Sequence, residues 1–213
     1  MERIICLAIG YAFGLVQTGY IYGRLHGTDI RKFGSGNSGS TNALRVMGKK
    51  AGAVVLIGDV AKSVLACLLV RVLFGKSQPD MVPLLVIYAG LGVVLGHNYP
   101  FYLKFKGGKG IAATGGFVIA LGDWKLLVFA LSVFLLTVAA TRFVSLGSLL
   151  GVSALFIGWV VFTQLGWIAV ASTYLAETYV LMFLFAALAF FQHRKNIVRL
   201  VKGTENKLGA KKS

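Results

Sequence analysis

Residues Ala51–Phe74 read AGAVVLIGDVAKSVLACLLVRVLF, an apolar run interrupted by few polar side chains. The apolar residues follow neither the alternation of a half-buried strand nor the single stripe of a surface helix. A helix that is apolar all round sits in a large core or in lipid, and roughly 20 such residues cross the hydrocarbon layer of a bilayer. The run is read as a transmembrane helix. Asp59 and Lys62 lie inside it, three residues apart, a spacing that shares one helical face. Charges at that depth are costly and either pair or face a polar interior. A structural ion pair is preferred over a part in chemistry.

Six further runs extend the pattern: Ile4–Tyr22, Val82–Leu103, Gly108–Leu121, Leu126–Ala140, Leu146–Phe162 and Trp167–Phe191. Lipid offers no partners for backbone N–H and C=O groups, so each run is expected to be helical. The fold class that follows is an all-α polytopic membrane protein of about seven transmembrane helices, forming one domain over residues 1–213. Gly-x-x-x-Gly pairs at Gly10/Gly14, Gly19/Gly23, Gly92/Gly96 and Gly147/Gly151 suit close helix packing. The first run lacks a preceding basic region and a following small-residue cleavage site, and is expected to be a mature span.

Composition agrees. Of 213 residues 57% are hydrophobic and only 14% are charged, against about 25% charged in soluble domains. The net charge of +15 would point to nucleic acid in a soluble chain. In a membrane protein, basic loops set orientation and meet anionic lipid, so no nucleic-acid partner is expected. Cys6 and Cys67 fall inside apolar runs and read as packing residues, with no metal-ligand spacing.

With seven spans, the loops after the first, third and fifth share one side with the C-terminal tail. That side gathers most of the basic residues, from Arg24, Arg45 and Lys104 through Arg142 and Arg199 to Lys211 and Lys212; the other has little beyond Arg3, Lys76 and Lys125. The asymmetry predicts an N-terminus outside and a cytoplasmic C-terminus.

Three polar, glycine-punctuated segments fall on that basic side. The first is Phe33–Arg45, FGSGNSGSTNALR. Glycines let a loop turn its N–H groups inward around an anion, and hydroxyls add donors. Ser35, Gly36, Asn37, Ser38, Gly39, Ser40, Thr41 and Asn42 are thus candidate phosphate contacts, with Arg45 as a bidentate fork. Gly34, Gly36 and Gly39 also match the dinucleotide fingerprint, but no strand precedes them, and Asp59, where the ribose partner would fall, lies in an apolar run. A flexible linker is the plainer alternative, although linkers seldom end in Asn-x-x-Arg leading into a span.

The second segment is Gly96–Gly110, GHNYPFYLKFKGGKG. Ile111 stands where a Walker A loop needs Ser or Thr. Consecutive glycines at a helix start still suit an anion, and Lys104, Lys106 and Lys109 add positive potential. The third segment is His193–Arg199, HRKNIVR, with Gly203–Lys207, GTENK. Taken alone it reads as an anchor with a solvated tail, where Glu205 pairs with a base to hold the tail in place. Glu177 has no partner visible in the sequence.

Together these three segments resemble the motifs of the PlsY family of bacterial membrane acyltransferases, in that family's order, and Gly58-Asp-x-x-Lys62 resembles a further signature of it. The resemblance implies the transfer of a fatty acyl group from acyl phosphate to the 1-hydroxyl of sn-glycerol 3-phosphate, without cofactor or metal. It implies a donor made by a soluble phosphate acyltransferase, and an active site facing the cytoplasm at the bacterial inner membrane. By the same resemblance Ser35 and Arg45 match catalytic first-motif positions, and Gly107, Gly108 and Gly110 the glycerol-phosphate site. His193 and Asn196 match positions tied to activity, and Glu205 one tied to integrity.

An acyl phosphate is already activated, so direct transfer needs no covalent enzyme intermediate, and the sequence offers no serine elbow or triad. The harder task is bringing two phosphates together: unit charges 4 Å apart repel by about 4 kcal/mol at an effective dielectric of 20. Arg45, Lys104 and Lys109 are placed to offset this. The segment Ser35–Arg45 is assigned to the acyl phosphate. His97, Asn98, Lys104, Gly107, Gly108, Lys109, Gly110, His193 and Asn196 are assigned to glycerol 3-phosphate. Ser35, Arg45, His97 and Lys104 form the catalytic set, with Asp59, Lys62 and Glu205 structural. His97 either orients or deprotonates the attacking hydroxyl; otherwise the donor's phosphate takes the proton. A transporter of phosphorylated metabolites and a lipid-phosphate phosphatase are the rival functions. The first should show inverted repeats, the second a nucleophilic His or Asp; neither is apparent.

Overall fold

A computed structural model describes residues 1–209, so Lys211 and Lys212 lie outside the described residues. Among the described residues ten α-helices run in order: α1 Glu2–Gly14, α2 Thr18–Leu25, α3 Ser40–Met47, α4 Lys49–Phe74, α5 Val82–Asn98, α6 Ile111–Leu121, α7 Trp124–Thr141, α8 Val144–Gln164, α9 Ser172–Gln192 and α10 Arg194–Val201. Short 3-10 turns occupy Ile30–Lys32, Pro79–Met81 and Phe101–Leu103. Among the described residues there is no strand. Six stretches of the described residues are long and apolar enough to cross a membrane: Glu2–Leu25, Lys49–Phe74, Pro79–Leu103, Trp124–Thr141, Val144–Gln164 and Ser172–Gln192. The chain divides into two compact units, Met1–Gly122 and the remainder from Asp123.

Two expected spans differ from the runs in sequence. The first is not one continuous helix, because it breaks between α1 and α2 at Leu15–Gln17. A break at membrane depth frees carbonyls that lipid will not satisfy, and here side chains supply donors. Gln17 Nε2 reaches the Gly14 carbonyl at 3.2 Å, Tyr102 Oη the Leu15 carbonyl at 2.6 Å and Lys62 Nζ the Val16 carbonyl at 2.7 Å. The fourth expected span, Gly108–Leu121, is helical only from Ile111. Its 11 residues rise about 16 Å, roughly half the hydrocarbon thickness. Arg71 on α4 closes its far end, donating to the carbonyls of Ala120 (3.0 Å) and Leu121 (2.9 Å).

In the first unit α5 is the hub: Leu84, Leu85, Val86, Ile87, Ala89 and Val93 are fully buried, which suits a helix apolar on every side. It packs on α1 through facing glycines. A Cβ at Gly10 or Gly14 would run into the backbone of Ala89, Val93 or Gly96, and one at Gly92 or Gly96 into that of Leu7, Tyr11 or Gly14. The other two pairs serve different neighbours. Gly19 and Gly23 admit the Ser38 and Thr28 carbonyls, while Gly147 and Gly151 admit Phe134 of α7.

In the second unit α7, α8 and α9 pack in sequence. Trp159 Nε1 donates to Thr178 Oγ1 at 3.0 Å between α8 and α9, both side chains buried. The tail returns to the α7–α8 turn, where Arg142 Nη2 donates to the Leu208 carbonyl at 2.8 Å and the Leu208 N–H to the Arg142 carbonyl at 2.7 Å.

Candidate active site

The glycine–serine loop is a built structure centred on Asn42. This buried side chain, on the first turns of α3, donates through Nδ2 to the carbonyls of Ile30 (2.9 Å), Phe33 (3.1 Å) and Asn37 (2.8 Å). Its Oδ1 accepts the Ser35 N–H at 2.8 Å. Asn42 therefore shapes the loop and has no amide group left for a phosphate. Asn37 Oδ1 is likewise engaged, accepting the Gly39 N–H at 2.8 Å. Ser40 Oγ donates to the Gly52 carbonyl at 3.0 Å, tying the start of α3 to α4. Gly34 and Gly36 take φ of +61° and +72°, turns that side chains with a Cβ resist. Ser35, Gly36 and Arg45 are exposed and Thr41 half-buried, so these remain open to a ligand.

Just before the loop, Asp29 caps the turn Ile30–Lys32 and holds Arg31: its Oδ1 accepts the Arg31 backbone N–H at 3.1 Å and its Oδ2 pairs with Nη2 at 2.8 Å. That side-chain hydrogen bond from Arg31 is the main reason the Asp29 carboxyl titrates below the usual range, although burial opposes it.

The second segment folds back on itself. Lys104 and Phe105 adopt left-handed φ of 55° and 58°, which turns the chain so that the Gly107 and Gly108 N–H groups donate to the carbonyls of Asn98 (3.1 Å) and His97 (3.0 Å). Those two glycine N–H groups are therefore committed to the backbone rather than to an anion. What the glycines provide is close approach, because a Cβ at Gly108 would overlap His97 Nε2. Gly110, with φ +80°, opens α6. Lys104 is exposed and Lys109 half-buried. Asn98 is 2% exposed, and neither its Oδ1 nor its Nδ2 has a partner among the described residues. A buried amide left unmatched costs about 1–3 kcal/mol, so this one needs a partner that the described residues do not supply.

The two segments meet through the break in the first span. Gln17, 1% exposed, accepts a hydrogen bond from Ser38 Oγ at 3.3 Å and donates through Nε2 to the His97 carbonyl at 3.0 Å. Beneath it lies a buried polar cluster. Lys62 Nζ lies 2.8 Å from Asp59 Oδ1 and 2.8 Å from His97 Nδ1, and Thr18 Oγ1 donates to Asp59 Oδ1 at 3.2 Å. Asp59, Lys62 and His97 are all buried.

The third segment lies in the second unit. His193, at the α9–α10 junction, and Asn196 are buried. Glu205 accepts from Asn196 Nδ2 at 3.0 Å and from Arg199 Nε at 2.8 Å, fastening the stretch after α10. Two residues escaped sequence reasoning. Gln17 is the one amide inside the first apolar run, and that isolation was its signal. Ser145, in the first turn of α8, is 7% exposed with an Oγ that has no partner among the described residues; nothing in the sequence marks it.

Residues 4–203 match the family model described as glycerol-3-phosphate acyltransferase. A protein of that name from Thermoanaerobacter sp. (strain X514) is 40% identical over 212 residues, covering 99% of this chain and 98% of its own length. One from Clostridioides difficile (strain 630) is 41% identical over 211 residues, covering 98% and 97%. Among solved structures, the glycerol 3-phosphate form of PlsY (YgiH), an integral membrane glycerol 3-phosphate acyltransferase, superposes with a TM-score of 0.82 at 31% identity, covering 98% of this chain and 96% of that one. Its lysophosphatidic acid form gives 0.80.

Proposed function

Because the chain belongs to the glycerol-3-phosphate acyltransferase family and is an integral-membrane enzyme of phospholipid synthesis, we propose that its donor is acyl phosphate and that transfer is direct. The 1-hydroxyl of glycerol 3-phosphate attacks the acyl carbonyl, the bond from carbonyl carbon to phosphate oxygen breaks, and 1-acyl-glycerol 3-phosphate and inorganic phosphate leave. The hydroxyl proton departs with the phosphate, and because the acyl group arrives already activated, no covalent enzyme intermediate is needed.

The observation that carries this reading is the joint at Gln17, where Ser38 of the first segment and His97 of the second meet on one side chain. It holds together a loop that suits one phosphate and a turn that suits another. Ser35, Gly36, Thr41 and Arg45 take the acyl phosphate, while the loop's inner residues Asn37, Ser38, Gly39, Ser40 and Asn42 keep its shape. Lys104, Lys109, Asn98 and His97 take glycerol 3-phosphate, with Gly107, Gly108 and Gly110 giving the backbone its close turns. Fixed cations of this kind offset phosphate repulsion and steady the oxyanion of the transition state.

His193 and Asn196 are also assigned to glycerol 3-phosphate, and the active site faces the cytoplasm at the bacterial inner membrane. The N-terminus lies outside, α6 serves as a short seventh crossing, and the C-terminus is cytoplasmic. A soluble phosphate acyltransferase supplies the donor, and the acyl chain lies in lipid-like surroundings between spans. The test uses purified protein and radiolabelled glycerol 3-phosphate, with acyl phosphate compared against acyl thioesters. Labelled lysophosphatidic acid formed from acyl phosphate alone is expected; formation from thioesters alone would overturn the proposal.

A further inference from the structure

Hydrogen-bond donors and acceptors around Lys62 can be counted. Its ammonium has three hydrogens and no lone pair. Three atoms stand within reach: Asp59 Oδ1 at 2.8 Å, the Val16 carbonyl at 2.7 Å and His97 Nδ1 at 2.8 Å. The carboxylate and the carbonyl can only accept. The third hydrogen therefore points at His97 Nδ1. Asp59 Oδ1 lies 3.6 Å from that nitrogen, too far to take a hydrogen from it, so Nδ1 offers its lone pair to the ammonium and a neutral ring carries its hydrogen on Nε2.

Nε2 faces the turn of the second segment, against Gly108, where an added Cβ would overlap it. The other two histidines are held the opposite way. His193 Nδ1 lies 2.7 Å from the Ala189 carbonyl and His26 Nδ1 lies 2.8 Å from the Tyr22 carbonyl. A carbonyl accepts only, so both rings carry hydrogen on Nδ1.

We infer that Lys62, anchored by Asp59 and by the Val16 carbonyl at the break in the first span, is a positioning residue that fixes His97 as its Nε2–H tautomer, so that His97 donates a hydrogen bond to glycerol 3-phosphate instead of taking its proton. The break between α1 and α2 then has a use, since it turns the Val16 carbonyl into the third point that orients the ammonium. The step toward glycerol 3-phosphate rests on the function proposed above; the tautomer does not.

The chain has three histidines, which makes the test direct. Full-length protein labelled with ¹⁵N-histidine, in detergent micelles at mildly alkaline pH, is read by ¹⁵N–¹H correlation through the ring protons. Two rings bearing hydrogen on Nδ1 and one bearing it on Nε2 are expected, the last disappearing in His97→Gln. In Lys62→Met the His97 ring loses its fixed tautomer. In Lys62→Arg, whose guanidinium is also donor-only, it keeps it. In the same preparations kcat/KM for glycerol 3-phosphate falls at least about tenfold in Lys62→Met, the scale of losing a group that orients a ligating histidine, and recovers in part in Lys62→Arg.

His97→Gln, which preserves an N–H donor but no base, stays well above His97→Ala. A wild-type His97 with hydrogen on Nδ1, or equal loss in His97→Gln and His97→Ala, overturns the inference. The wild-type spectrum decides even if Lys62→Met does not fold. An enzyme inactive with acyl phosphate but showing the expected spectrum would instead overturn the proposed donor.

Discussion

Ser38 and Gln17 touch through a 3.3 Å hydrogen bond, although one lies in the glycine–serine loop and the other in the break of the first span. Gln17 also reaches the carbonyls of Gly96 (3.4 Å) and His97 (3.0 Å). A single buried amide thus fixes the distance between the two loops assigned to the two substrates. Holding reacting groups in register is worth far more than any one contact, so the joint should matter to rate as well as to stability.

Replacing Gln17 by Leu leaves the Ser38 hydroxyl without its acceptor and takes a donor from the carbonyls of Gly14, Gly96 and His97, of which the last keeps the Gly108 N–H. Each orphaned group costs about 1–3 kcal/mol. Thermal unfolding in detergent should shift downward, and kcat should fall more than the small loss of substrate binding explains. Unchanged kcat in a folded variant would remove Gln17 from the positioning of the loops.

Arg45 is exposed on α3 and has no hydrogen bond or ion pair to protein among the described residues, so it is available to an anion. Charge-assisted hydrogen bonds contribute about 1.5–3 kcal/mol, so Arg45→Ala should raise KM for acyl phosphate roughly tenfold to a hundredfold with the melting temperature unchanged. Lysine cannot reproduce a bidentate fork, and Arg45→Lys should fall between the two. Steady-state kinetics against each substrate separately checks the assignment.

Gly92 lies in the close packing of α1 against α5, and a Cβ there would collide with the Leu7 carbonyl. Overpacking of this kind costs about 1–3 kcal/mol. Gly92→Leu should lower thermal stability and pull Gln17 away from His97, reducing activity with it. Gly115, where an added Cβ meets nothing, is the control: Gly115→Ala should leave both unchanged.

Asp29 gives the loop a defined response to pH. Its carboxyl, held chiefly by the Arg31 side chain, titrates below the ordinary value, which is about 3.9 in an unfolded chain. A depressed folded value means that the contribution is complete above the unfolded value and is lost as pH falls through the folded one. Resistance of the 27–36 loop to proteolysis should therefore be flat from neutral pH to about pH 5 and decline only in stronger acid. Asp29→Asn should show the weakened loop at every pH. A decline already under way near neutrality would contradict the pair.

The apolar runs placed the helices well because lipid imposes one rule on every residue of a span. The Gly10/Gly14 and Gly92/Gly96 spacings signalled close packing, though not that the two pairs face each other. What the sequence hid was which polar groups satisfy one another. Asn42 and Arg45 stand at a spacing that suggests a shared face, yet Asn42 is buried beneath the loop and Arg45 is exposed. The glycines of the second segment suggested N–H groups open to phosphate, yet Gly107 and Gly108 donate to backbone carbonyls. Hydrogen-bond pairing is settled by tertiary approach and leaves no period along the chain.

Cysteine accessibility tests whether the loop near residue 45 and the stretch around Glu205 share one membrane surface. Cys6 and Cys67 are buried, so single substitutions at the exposed Lys49 and Asn206 would report alone to a membrane-impermeant maleimide. Both positions should be protected in intact cells and both labelled in inverted vesicles. Labelling of one from outside and the other from inside would contradict the placement of all three segments on the cytoplasmic side.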